Sequence, residues 1–116
     1  MKNTMTQVFF DLYGFESNDI EALVEPLECV LQIKFVARTS DYWGDYYNYK
    51  SQTNAEYKLQ RNIDEENEIV EKLYPEMKLL FRVTEIQRAD EVKELVMNNI
   101  PGASFLRRKV FDASEI

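Results

Sequence analysis

The order of apolar and polar positions divides the chain into short strands and helices that roughly alternate. Val8-Phe9-Phe10-Asp11-Leu12-Tyr13 has strand character, with Val8, Phe10 and Leu12 on one face and Phe9, Asp11 and Tyr13 on the other. Gly14 is expected to break it. Asn18 predicts a helix start, because Glu21 completes a capping-box-like pair and Asp19 lies in the first turn. Ile20, Leu23, Val24, Leu27 and Leu31 then follow helical spacing. Pro26 falls inside that run and has no N–H to give to residue 22, so a kink or an early end is expected. Ile33, Phe35 and Ala37 alternate with Lys34, Val36 and Arg38, which predicts extended chain up to about residue 40.

In the second half, Tyr46-Tyr47-Asn48-Tyr49-Lys50 and Glu56-Tyr57-Lys58-Leu59-Gln60-Arg61 flank the polar Ser51-Gln52-Thr53-Asn54, the pattern of an antiparallel hairpin. The acidic Asn62-Ile63-Asp64-Glu65-Glu66-Asn67-Glu68 is expected to cap a short helix through Ile69, Val70 and Leu73, ending near Tyr74-Pro75. Lys78–Thr84 reads as a strand. Ala89–Val96 reads as an amphipathic helix that buries Val92, Leu95 and Val96, with Pro101-Gly102 beyond its end. Phe105–Phe111 supplies a last strand.

A faint repeat links the two halves. Phe9-Phe10 leading to Asp19–Val24 resembles Leu80-Phe81 leading to Glu91–Val96: a strand, a short break, then a helix ending in Leu-Val. Two strand–helix–strand units predict an α+β fold, a ferredoxin-like, mostly antiparallel sheet of about five strands with two main helices on one face. At 116 residues the chain reads as a single domain, 1–116.

Composition narrows the function classes. Apolar residues at 45% and charged residues at 30% are those of a folded domain, and three Gly with three Pro leave little room for linkers. No apolar run is long enough for a membrane span, and the first seven residues lack the long apolar region of a secretion signal. A cytoplasmic protein without membrane contact is the expectation. Cys29 has no second cysteine to pair with and is expected to be a small buried apolar residue among Leu27, Val30 and Leu31.

The net charge of −7 is uneven: residues 1–40 hold 3 basic and 6 acidic side chains, 41–77 hold 4 and 9, and 78–116 hold 7 and 6. An acidic middle repels phosphate backbones and attracts basic partners, so nucleic acid is not the expected ligand. The absence of His removes the commonest general base and every His-dependent triad or metal set. No Gly-rich phosphate loop is present, and residues 64–68 lack the spacing of a calcium loop. Neither an enzyme nor a cofactor is expected. Arg107-Arg108-Lys109, the one basic run, splits between two strand faces and reads as edge protection or pairing with the acidic middle.

Ser40-Asp41-Tyr42-Trp43-Gly44-Asp45-Tyr46-Tyr47-Asn48-Tyr49 stands apart: it holds the only Trp and four of the seven Tyr, mixed with carboxylates around a Gly. Tyr and Trp bring large contact area with a polar tip and are favoured where proteins grip proteins. Asp41, Tyr42, Trp43, Asp45, Tyr46 and Tyr47 are the candidate partner-binding residues. The plainer reading is a strand start whose Tyr residues cover the sheet, which applies above all to Tyr47 and Tyr49.

In order and texture the chain resembles the small immunity proteins of bacterial polymorphic toxin systems, including contact-dependent growth inhibition. The likeness runs through Leu12-Tyr13-Gly14, Leu31-Gln32-Ile33-Lys34-Phe35, Ser40–Tyr47, Tyr57–Asn62, Leu79–Val83 and Arg88-Ala89-Asp90-Glu91-Val92. It implies a cytoplasmic protein that binds the toxic C-terminal domain of a cognate effector, often a nuclease, and blocks it stoichiometrically. The alternative is a ferredoxin-like small-ligand regulatory or dimerisation domain, with Phe9, Tyr13 and Tyr57 forming its pocket or interface. An enzyme using carboxylates and Tyr is the third reading.

Overall fold

The computed structural model describes residues 6–112. Its elements are β1 (Gln7–Phe15), α1 (Glu21–Leu31), β2 (Val36–Ser40), β3 (Gly44–Lys50), β4 (Glu56–Arg61), β5 (Leu79–Glu85), α2 (Ala89–Asn99) and β6 (Ser104–Asp112). The strands form one six-stranded sheet in the order β2-β3-β4-β5-β1-β6, with every neighbouring pair antiparallel. The fold is α+β with an open antiparallel sheet of six strands, where about five were expected. The additional strand is β2, which pairs with β3 and puts the aromatic stretch at the turn between them.

Alternation along the strands gives the sheet two different faces. Tyr13, Phe15, Tyr57, Leu59, Phe81 and Val83 lie on one, packed with Leu27 and Leu31 of α1 and Val92 and Val96 of α2 in a single buried cluster. Both helices therefore cover the same face. Tyr13 and Tyr57 are 0% and 1% exposed. Tyr13 is thus sealed beneath the helices, and Tyr57 borders only a small cavity of about 180 Å³ beside Glu85 and Arg88. The other face has a smaller cluster, Leu12, Leu80 and Met77, roofed by Val70 and Tyr74 from the chain between β4 and β5.

Four local expectations are corrected. Gly14 does not end β1; it pairs with both Leu80 and Ser104. A Cβ there would come within 2.6 Å of Met77 Cγ and 2.8 Å of Leu106 Cδ1, so the glycine permits close packing. Helix α1 continues through Pro26 to Leu31, and its first turn is served by Asp19, whose carboxylate accepts the Ala22 N–H at 3.3 Å. Cys29 is exposed, because it lies two positions from both Leu27 and Leu31 and so faces away from their buried stripe.

Residues 62–78 form no helix. Asn62 Oδ1 accepts the Glu71 N–H at 2.7 Å, and its amide donates to the carbonyls of Tyr74 and Met77 at 3.0 and 2.9 Å. Asp64 takes the N–H groups of Glu66 and Glu68, both at 2.9 Å. These side chains satisfy the backbone groups that a helix would otherwise have paired. Asn62→Ala should therefore cost about 1–3 kcal/mol, read from the urea midpoint, since it strands buried backbone groups.

Candidate partner-binding surface

The turn between β2 and β3 is built by short polar side chains. Ser40 Oγ accepts the N–H groups of Tyr42 and Trp43 at 3.0 and 3.2 Å, curling the chain back after β2. Across the turn, Thr39 Oγ1 donates to Asp45 Oδ1 at 3.0 Å. Gly44 restarts the sheet at φ 74°, in the left-handed region, and a Cβ there would also meet Glu65 Oε2 at 2.5 Å. The carboxylate can swing away, so the backbone term dominates. Gly44→Ala should cost about 1–2 kcal/mol, measured as a lowered urea midpoint.

The acidic connection after β4 docks against this turn. Glu65 N–H donates to the Tyr42 carbonyl at 2.8 Å, which places the Tyr42 phenol within the influence of the Asp64 carboxylate. Arg61 Nη1 reaches the Asp45 carbonyl at 3.3 Å. Asp41, Asp45, Glu65, Glu66 and Glu68 are all exposed here, so two acidic segments about twenty residues apart in sequence meet beside Tyr42 and Trp43. A shallow cleft of about 420 Å³ runs between turn and connection, lined by Trp43, Gly44, Asp45, Arg61, Asp64 and Glu65.

The hydrogen bonds shift both ionisations. The Asp64 carboxylate raises the Tyr42 phenol, first as a hydrogen-bond acceptor and then through its negative charge. Asp64 is held below its ordinary value near 3.8 by the Glu68 N–H first; burial opposes this, and the Glu66 N–H and Tyr42 hydroxyl assist. A lowered carboxylate contributes stability above its unfolded value and loses it as pH falls through the lower folded one. Fluorescence of the single Trp should therefore hold steady down to pH about 4 and change only below it. Asp64→Ala should produce the altered spectrum already at neutral pH.

The six candidate residues separate by face. Trp43 and Tyr46 meet edge to face at 6.1 Å on the side away from the helices, with Lys58 Nζ 4.7 Å and 5.4 Å from their ring centroids. Tyr42 lies 5.9 Å from Trp43 and is 56% exposed, the most open of these rings. Tyr47 is on the helix side, with its ring 6.3 Å from Phe35 and its hydroxyl 3.4 Å from Glu21 Oε2. Tyr49 packs on Tyr57 at 5.3 Å. The structure thus brings Asp41, Tyr42, Trp43, Asp45 and Tyr46 together around the turn and sends Tyr47 to α1.

Lys58 and the 64–68 segment belong to the surface and were not anticipated there. Strand alternation carried the signal for Lys58, which pairs with Asn48 across β3. Nothing local marks the docking of residues 64–68. Among the described residues, no His, Cys, Asp or Glu group is clustered to hold a metal ion, and no helix is long and apolar enough to cross a membrane. The sequence matches no protein-family model and no curated protein.

Proposed function

We propose that this chain is an immunity protein, binding the toxic C-terminal domain of a cognate effector in the cytoplasm and neutralising it one to one without turnover. The observation that carries the reading is Tyr42, an exposed aromatic held on a hydrogen-bonded turn beside carboxylates of the 64–68 segment. An anchor of this kind gives contact area at small entropic cost, and the carboxylates steer a basic partner towards it. A nuclease, whose surface is basic to hold phosphate, is the partner such a field favours. The four strands β4-β5-β1-β6, with a helix following β1 and another following β5, support a ferredoxin-like core extended by the β2–β3 hairpin.

The test is co-expression with the C-terminal domain of a large exported protein encoded immediately upstream. The chain should restore growth, and the isolated pair should associate with an on-rate that falls with salt. Tyr42→Ala should weaken the complex about 30-fold, and Asp45→Lys should slow association. Full protection by both variants would remove the surface from the reading. Failure to bind any such domain, together with a rise in melting temperature on adding a metabolite, would favour a small-ligand regulatory domain.

A further inference from the structure

The sheet face away from the helices carries a charge pattern opposite to that of the hairpin turn. Cross-strand register aligns Lys58, Arg82, Leu12 and Arg107 in one row, and Glu56, Thr84, Phe10 and Lys109 in the next, with Glu56 on β4 three strands from Lys109 on β6. Arg82 and Arg107 reach the same Glu71 Oε2, at 2.8 and 3.3 Å, so one carboxylate serves two guanidinium groups. Lys109 has no acidic partner among the described residues. A cavity of about 100 Å³ opens between Phe10, Thr84, Arg82, Arg107 and Lys109. Beside it Phe10 and Phe111 stack edge to face at 5.5 Å, yet remain 36% and 40% exposed.

This concentration of positive charge is on a chain whose net charge is −7. It lies at the β1–β6 side of the sheet, whereas the acidic turn closes the hairpin at the β2 edge. Strands β2 and β6 are five spacings apart, roughly 24 Å, and β5, which carries Arg82, is three spacings from β2, roughly 14 Å.

We propose that the face formed by Phe10, Arg82, Arg107, Lys109 and Phe111 is a second docking surface, for a protein segment that presents clustered Asp or Glu beside an apolar side chain. Size decides against a metabolite, because ligand pockets run from roughly 300 Å³ upward, whereas this cavity has room for little more than one carboxylate-bearing side chain. Charge decides against nucleic acid, since each further phosphate must approach an acidic chain. A short acidic segment meets the basic row locally, and its apolar residue covers Phe10 and Phe111. Aromatic and Arg side chains together are the composition of interface cores. The surface is independent of the toxin reading and uses none of its residues.

The test is an NMR titration of the isotope-labelled protein with a synthetic peptide of glutamates around one central phenylalanine. Inorganic phosphate and an oligothymidine are the comparison arms. The peptide should shift the amides of Phe10, Arg82, Thr84, Arg107 and Lys109, and moderate salt should weaken it. Lys109→Glu should weaken it about tenfold while leaving the Arg82–Glu71–Arg107 contacts and the rest of the spectrum intact. Tyr42→Ala, which disables the hairpin turn, should bind the peptide unchanged. Absent shifts at those five residues, equal binding by Lys109→Glu, or a stronger response to phosphate or oligothymidine would each overturn the proposal.

Discussion

Arg108→Ala should destabilise the protein by about 3–5 kcal/mol, because it leaves a buried carboxylate without its partner. Arg108 grips Asp11 through two bonds, Nε to Oδ1 at 2.8 Å and Nη2 to Oδ2 at 2.9 Å, and the Asp11 side chain is 0% exposed. Its third nitrogen, Nη1, donates to Asp90 at 2.7 Å, so one side chain ties β1, β6 and α2 together. The guanidinium also lies 5.0 Å from the Phe9 ring centroid. Urea unfolding measures the loss. Adding Asp11→Asn in the Arg108→Ala background should return part of it, because the uncompensated charge is removed while the shape is kept. A double variant that unfolds as easily as Arg108→Ala alone would mean that the cost is lost packing rather than a stranded charge.

Phe81→Ala should cost a similar amount, about 3–5 kcal/mol, by a different route. Phe81 is 0% exposed, and its ring lies within reach of three others: Tyr13 at 5.8 Å, Tyr57 at 6.1 Å and Phe35 at 6.4 Å. Those partners come from β1, β4 and the approach to β2, so the cavity would open where four segments meet. They cannot all collapse into it, which places the cost high in the expected range. Phe81→Leu, which fills most of the space, should cost far less. Equal losses for the two variants in urea unfolding would assign the role to ring geometry instead of volume.

Features carried by local spacing were legible in the sequence. The faces of β1, the β3–β4 hairpin, the Val92 and Val96 stripe of α2 and the division of Arg107 from Arg108 all follow from periods of two or 3.6 residues. Features that depend on a distant partner were not. Gly14 looked like a break because its need to admit Met77 and Leu106 exists only in the packed molecule. Residues 62–78 looked helical because nothing in their spacing shows Asn62 and Asp64 turning inward to hold the backbone. The candidate surface was half visible: alternation separated Tyr46 from Tyr47, while the docking of Glu65 on Tyr42 is a long-range contact without local signature.

Strand order also bears on how the chain reaches this structure. The first strand, β1, is an inner one, and both its neighbours, β5 and β6, come from the last part of the described chain. During synthesis β1 must wait, unpaired, until residues 79–112 have left the ribosome, and the ion pair Asp11–Arg108 closes a span of 97 residues. Such non-local pairing slows folding and leaves the apolar residues of β1 open to misassociation in the interval. The β3–β4 hairpin has no such delay, since its strands are joined by a short turn and can pair as soon as they emerge. Synthesis thus leaves the hairpin end of the sheet free to form before the centre of the sheet can close.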